Sequence, residues 1–151
     1  MRDKKSILMK FYNIYRTLYL KRFKLFSNIL YRITMILFNC SIPPTCDLGE
    51  GVNFGHPIGI VIHQNSVIGK NTIIYQNVTI GRKESKTQEA PIIGENCIVG
   101  AGACILGKIK IGDNVKIGAN AVVLQDIPDN CTVVGIPGKI IKRGKNEQNI
   151  N

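Results

Sequence analysis

Few side chains in this 151-residue chain can do chemistry near neutral pH: two histidines, His56 and His63, and five cysteines, Cys40, Cys46, Cys97, Cys104 and Cys131. His56 sits in the short segment Gly55-His56-Pro57-Ile58-Gly59. Imidazole is the side chain best suited to act as a neutral base near pH 7, so His56 is the candidate general base. His63 follows an apolar residue at a step where side chains should point outward, and it reads as an ordinary surface residue. The cysteines form no C-x-x-C pair, and their number is odd. That predicts reduced thiols, a cytoplasmic setting and no metal site.

The elements that must position these residues follow from a repeat. Steps of six from Ile93 reach Val99, Ile105, Ile111, Ile117 and Val123. The same step links Ile62, Ile68, Ile74 and Ile80, and also Ile42, Leu48 and Phe54. Glycine often follows this anchor, as at Gly49, Gly69, Gly81, Gly94, Gly100, Gly112 and Gly118, and a small or β-branched residue stands two places before it. A six-residue period fits neither a helix nor a simple strand. It predicts an all-β solenoid: short rungs, each one face of a three-sided prism, with anchors filling the interior and glycine at the bends. Three rungs make a coil of about 18 residues, stacked on its neighbours at roughly 4.8 Å. The period breaks twice. Phe54 to Ile62 takes eight residues, and Ile80 to Ile93 takes thirteen, through the polar loop Arg82–Ala90. Interruptions of a monotonous solenoid are where function is expected.

The pattern [Leu/Ile/Val]-Gly-x4 resembles the bacterial hexapeptide-repeat acyltransferases. The segments Gly59–Gly69, Gln76–Gly81, Ile98–Gly107 and Val133–Ile141 are similar to the serine acetyltransferase branch. The resemblance implies a left-handed parallel β-helix, which period alone does not specify, and it spans residues 41–143. It implies that His56 removes the proton of a substrate hydroxyl as that oxygen attacks the thioester of acetyl-CoA. It also implies a homotrimer, with the donor threaded between prisms along Gly81, Ala101 and Ala119. Arg82, Lys83, Lys139, Lys142 and Arg143 would meet the CoA phosphates, since a multiply charged anion needs cationic partners. Two histidines cannot supply the three-histidine zinc site of related β-helical carbonic anhydrases. The family's acidic partner of the base falls at Ser41, its acid beside that base at Gly55, and its Arg-His pair at Glu89-Ala90. Those losses point away from free serine. The acceptor expected is a saccharide hydroxyl on a capsule or O-antigen precursor. Serine O-acetylation, amino-sugar N-acetylation and a non-catalytic scaffold are the alternatives.

Residues 1–40 form a separate basic segment: nine Lys or Arg against Asp3 alone, within an overall net charge of +10. Apolar residues at helical spacing from Ile7 to Leu37 predict one or two amphipathic helices, broken near Phe26–Asn28. Such a segment would cap the solenoid, pack in the oligomer, or lie peripherally on the inner face of the cell membrane. The longest apolar run, Ile33–Phe38, falls far short of the ~20 residues of a membrane span. No nucleic-acid motif accompanies the charge, so no nucleic-acid partner is expected. Residues 144–151 read as a polar tail.

Overall fold

The computed structural model describes residues 7–84 and 89–142. Two helices, α1 (Ile7–Leu20) and α2 (Lys24–Phe38), precede a parallel β-helix. Its first coil contains β1 (Asp47–Leu48), β2 (Asn53–Phe54) and β3 (Val61–Ile62). The second contains β4 (Val67–Ile68), β5 (Ile73–Ile74) and β6 (Thr79–Gly81). The third contains β7 (Ile92–Ile93), β8 (Ile98–Val99) and β9 (Cys104–Leu106). The fourth contains β10 (Lys110–Ile111), β11 (Lys116–Ile117) and β12 (Val122–Val123), followed by β13 (Cys131–Val134) and β14 (Lys139–Lys142). Corresponding rungs stack into three sheets, β1-β4-β7-β10, β2-β5-β8-β11-β13-β14 and β3-β6-β9-β12. All pairings are parallel except that of β13 with the returning β14.

The anchors are the core. Every one from Ile42 to Val123 is buried except Leu48, which is half-buried. The residues two places earlier, among them Ser66, Thr72, Val78, Cys97, Ala103 and Val115, are buried beside them. Uninterrupted coils have the expected length, as Ile92 pairs with Lys110 and Ile98 with Lys116. Where the period breaks, the register survives: Ile68 pairs with Ile93 and Ile80 with Ile105 across the insertion.

The bends differ from the expectation. They fall three residues after the anchor, at Asn71, Asn77, Asn96, Asn114 and Asn120, each with φ of 56–58°. Asparagine is the side chain that best tolerates this left-handed conformation. The glycine directly after the anchor serves close approach between coils instead. A Cβ on Gly100 would lie 2.6 Å from the backbone nitrogen of Ala119 in the next coil.

Helix α1 closes the open end of the first coil. The Tyr12 hydroxyl donates to the carbonyl of Cys46 at 2.8 Å, and the Tyr15 hydroxyl to that of Ile42 at 2.7 Å. Arg16 reaches the carbonyls of Pro44 and Cys46 and pairs with Asp47 at 2.7 Å. Carbonyls that no preceding coil reaches are thereby satisfied. The helical break lies at Lys21–Phe23, not at Phe26–Asn28. Arg22 takes φ 66°, and the Phe23 N–H closes on Leu18. Ser27, in the expected break, is instead buried inside α2 and donates its hydroxyl to the Tyr15 carbonyl at 2.7 Å. The outward face of α2 is apolar: Leu25, Phe26, Ile29, Ile33, Ile36 and Leu37 are all exposed. No helix among the described residues is long and apolar enough to cross a membrane.

Candidate active site

His56 stands, exposed, on the loop between β2 and β3. The loop arches over Tyr75-Gln76-Asn77 of the next coil. Gly55 lies against the Tyr75 ring, and the Asn77 N–H donates to the Ile58 carbonyl at 2.9 Å. The column continues downward, because Gly102 N–H meets the Gln76 carbonyl at 2.9 Å and Asn120 N–H meets the Ala101 carbonyl at 2.8 Å. His56, Ala101 and Ala119 therefore share one corner of the prism, each two residues past an anchor of the second sheet.

Gly81, Arg82 and Lys83 do not join them. Gly81 ends β6 of the third sheet and Arg82 and Lys83 follow it, so they lie at the next corner, one face away. There the Gly107 N–H donates to the Gly81 carbonyl at 2.9 Å. A groove of about 220 Å³ opens at this corner, lined by Lys83, Glu89, Leu106, Lys108 and Leu124 among others. Lys108 pairs with Glu89 at 2.7 Å, and this partner raises the ammonium's pKa. Lys139 and Lys142 lie in β14 at the end of the second sheet, opposite Val134 and Cys131. Arg143 lies outside the described residues.

His63 follows the buried anchor Ile62. It is half-buried at the root of the Arg82–Ala90 insertion, and its Nδ1 accepts the Asn65 N–H at 3.2 Å. Partial burial, then the nearby Arg82 charge, pull its pKa below the ordinary histidine value. The five cysteines are free thiols. Burial pushes Cys46 up to about 12 and also raises Cys40 and Cys97, so these three are poor thiolates. Among the described residues no cluster of His, Cys, Asp or Glu could hold a metal ion.

The two positions where the sequence lacks an acid are filled. At Ser41, the hydroxyl meets that of Tyr31 from α2 at 3.0 Å. At Gly55, a Cβ would lie 2.9 Å from the Tyr75 ring, so the aromatic ring takes the space of a side chain. Tyr31 and Tyr75 were not legible as site residues, since nothing in the sequence sets them apart from other tyrosines. Gln76 could have been found, because it stands two residues past the anchor Ile74, in step with Ala101 and Ala119.

The family model "Bacterial transferase hexapeptide (six repeats)" matches residues 90–125. The serine acetyltransferase of Synechococcus elongatus is 42% identical over 127 residues, covering 83% of this chain and 52% of that protein. This chain belongs to the hexapeptide-repeat transferases. A serine acetyltransferase of Staphylococcus epidermidis is 41% identical over 83% of this chain and 60% of its own length. A solved serine acetyltransferase in complex with CoA superposes with a TM-score of 0.82 at 36% identity, over 89% of this chain and 55% of that one. The Neisseria gonorrhoeae serine acetyltransferase in complex with serine gives 0.83 at 36% identity, over the same shares. The chain spans about half the length of the relatives it matches. Membership makes the β-helix left-handed. It also corrects the acceptor. The saccharide hydroxyl and the polysaccharide role are overturned, because these transferase relatives and structural neighbours are serine acetyltransferases. They give no support to a membrane role for residues 1–40.

Proposed function

We propose that this transferase moves the acetyl group of acetyl-CoA to the side-chain hydroxyl of serine. The observation that carries the reading is the placement of His56. It is the one histidine on a loop that interrupts the repeat, in a corner column with Ala101 and Ala119, within a chain 42% identical to a serine acetyltransferase. The neutral imidazole takes the hydroxyl proton as the oxygen forms its bond to the thioester carbonyl carbon. Collapse of the tetrahedral intermediate breaks the carbon–sulfur bond. The imidazolium then returns the proton to the departing thiolate, giving O-acetylserine and CoA with no net proton change.

The donor groove is a property of three copies. In one chain the residues proposed for acetyl-CoA lie at different corners: Gly81, Arg82 and Lys83 at one, Ala101 and Ala119 at the next. A trimer sets the His56 corner of one copy against the insertion-bearing corner of a neighbour and brings the two sets to one seam. Small residues at 101 and 119 let the pantetheine arm lie close to backbone. Arg82, Lys83, Lys139 and Lys142 supply cations for the CoA phosphates.

Release of free thiol from acetyl-CoA in the presence of serine tests the reading. His56→Ala should lower the rate by roughly 10²–10⁴-fold while the protein remains folded. An unchanged rate removes His56 as the base, and turnover of other hydroxyl acceptors with none of serine removes the acceptor.

A further inference from the structure

The loop that carries His56 covers a polar group with no partner. Gln76 lies beneath it, between Tyr75, whose ring abuts Gly55, and Asn77, whose N–H holds the Ile58 carbonyl. The Gln76 Oε1 atom is buried, and no donor among the described residues meets it. A buried carbonyl oxygen left without a donor forfeits its hydration uncompensated, so such a group calls for a physical reason. Directly above, the side chain of His56 makes no hydrogen bond among the described residues. A base needs one ring nitrogen protonated and held so that the other is free and aimed. The groups that hold it in the family's acid positions are absent, since Ser41 is engaged by Tyr31 and the side-chain space at Gly55 is taken by Tyr75. An acceptor without a donor and a donor without an acceptor thus share one corner of two adjoining coils.

We infer that Gln76 is the positioning residue for His56. Rotation of the imidazole toward the coil below lets Nδ1–H donate to Gln76 Oε1 and leaves Nε2 bare for the substrate proton. The inference rests on the acetyl-transfer reading for the task of the base, but not for the hydrogen bond itself. An amide differs from a carboxylate in one respect that matters. It fixes the tautomer without adding a negative charge, so it stabilises the imidazolium less than a carboxylate would.

With only two histidines, long-range ¹H–¹⁵N spectra of the full-length protein resolve both rings. His63 serves as the internal reference, because its Nδ1 already accepts from Asn65. In its neutral form, His56 should appear as the Nδ1–H tautomer and revert toward the Nε2–H form in Gln76→Leu. In thiol-release kinetics, Gln76→Leu should lower kcat by about 10- to 100-fold with the KM for acetyl-CoA unchanged. Gln76→Glu should retain activity and move the acidic limb of kcat/KM to higher pH, because the added negative charge favours the protonated ring. That second variant keeps the test open should Gln76→Leu fold poorly. A His56 tautomer unaltered in Gln76→Leu, or a pH limb unmoved in Gln76→Glu, overturns the assignment. So does a change of oligomeric state alone, which would mean that Oε1 serves a neighbouring copy. Should serine not be acetylated by the wild type, the functional reading falls, and the tautomer measurement still decides on Gln76.

Discussion

The β-helix and the helical hairpin solve the same burial problem in opposite ways. In the coils nearly every anchor is wholly buried, and the outward residues of the rungs are mixed, from Lys110 and Lys116 to the exposed Val61, Val67 and Ile92. In the hairpin, α1 buries Leu8, Met9, Tyr12 and Tyr15, while α2 turns Ser27 and Thr34 inward and leaves Ile36 83% exposed. The coil is self-sufficient because each rung templates the next. The hairpin is a lid whose fit is decided by two tyrosine hydroxyls and an arginine on the carbonyls of residues 42–46. Repetition enforces close tolerance throughout the coil, and the lid concentrates its fit at a few hydrogen bonds.

That contrast can be broken at three places of decreasing consequence. The largest effect belongs to Gly100, where any Cβ meets backbone of the next coil and neither side has a flexible end to move. Gly100→Val should cost at least about 2 kcal/mol and lower Tm by several degrees in calorimetry. A variant with wild-type Tm would show that the coils are looser than their spacing implies. Tyr15→Phe comes next. It removes a buried hydroxyl at 2.7 Å from the Ile42 carbonyl and should cost about 1–2 kcal/mol by denaturant titration, with the change confined to stability. Gly81→Ala should change stability by less than about 0.5 kcal/mol, although Gly81 occupies the same step of the repeat as Gly100. Nothing lies within 4 Å of a Cβ there, because the chain leaves the lattice at that point for its long insertion. A large loss at Gly81 would mean that the neighbouring copy proposed at that seam packs on Gly81 itself and leaves no groove there.

The coil was legible because one position, recurring mostly six residues apart, carries thirteen anchors, twelve of them buried. The placement of His56 on an interruption was legible for the same reason, since a departure is visible only against a strict period. The bend chemistry was misassigned. Glycine is the better-known turn residue, yet here Asn71, Asn77, Asn96, Asn114 and Asn120 make the turns and could have been read three steps past each anchor. The hairpin break was placed in the wrong turn: Ser27, inside the expected break, acts as a buried hydrogen-bond donor in the fold. Tyr31 and Tyr75 could not be found at all. They reach Ser41 and Gly55 only through tertiary packing between elements 10 and 20 residues apart in sequence. The acceptor was misread because missing charged groups at Ser41, Gly55 and Glu89-Ala90 were weighed above the similarity of the scaffold that surrounds them.

The thirteen-residue stride between Ile80 and Ile93 leaves the pairing of Ile68 with Ile93 and of Ile80 with Ile105 untouched. Length added at a corner is therefore invisible to the stack. Such a segment can be exchanged, lengthened or recoded without asking the prism to refold, and a lineage of these proteins can change what it recognises while keeping the same spine.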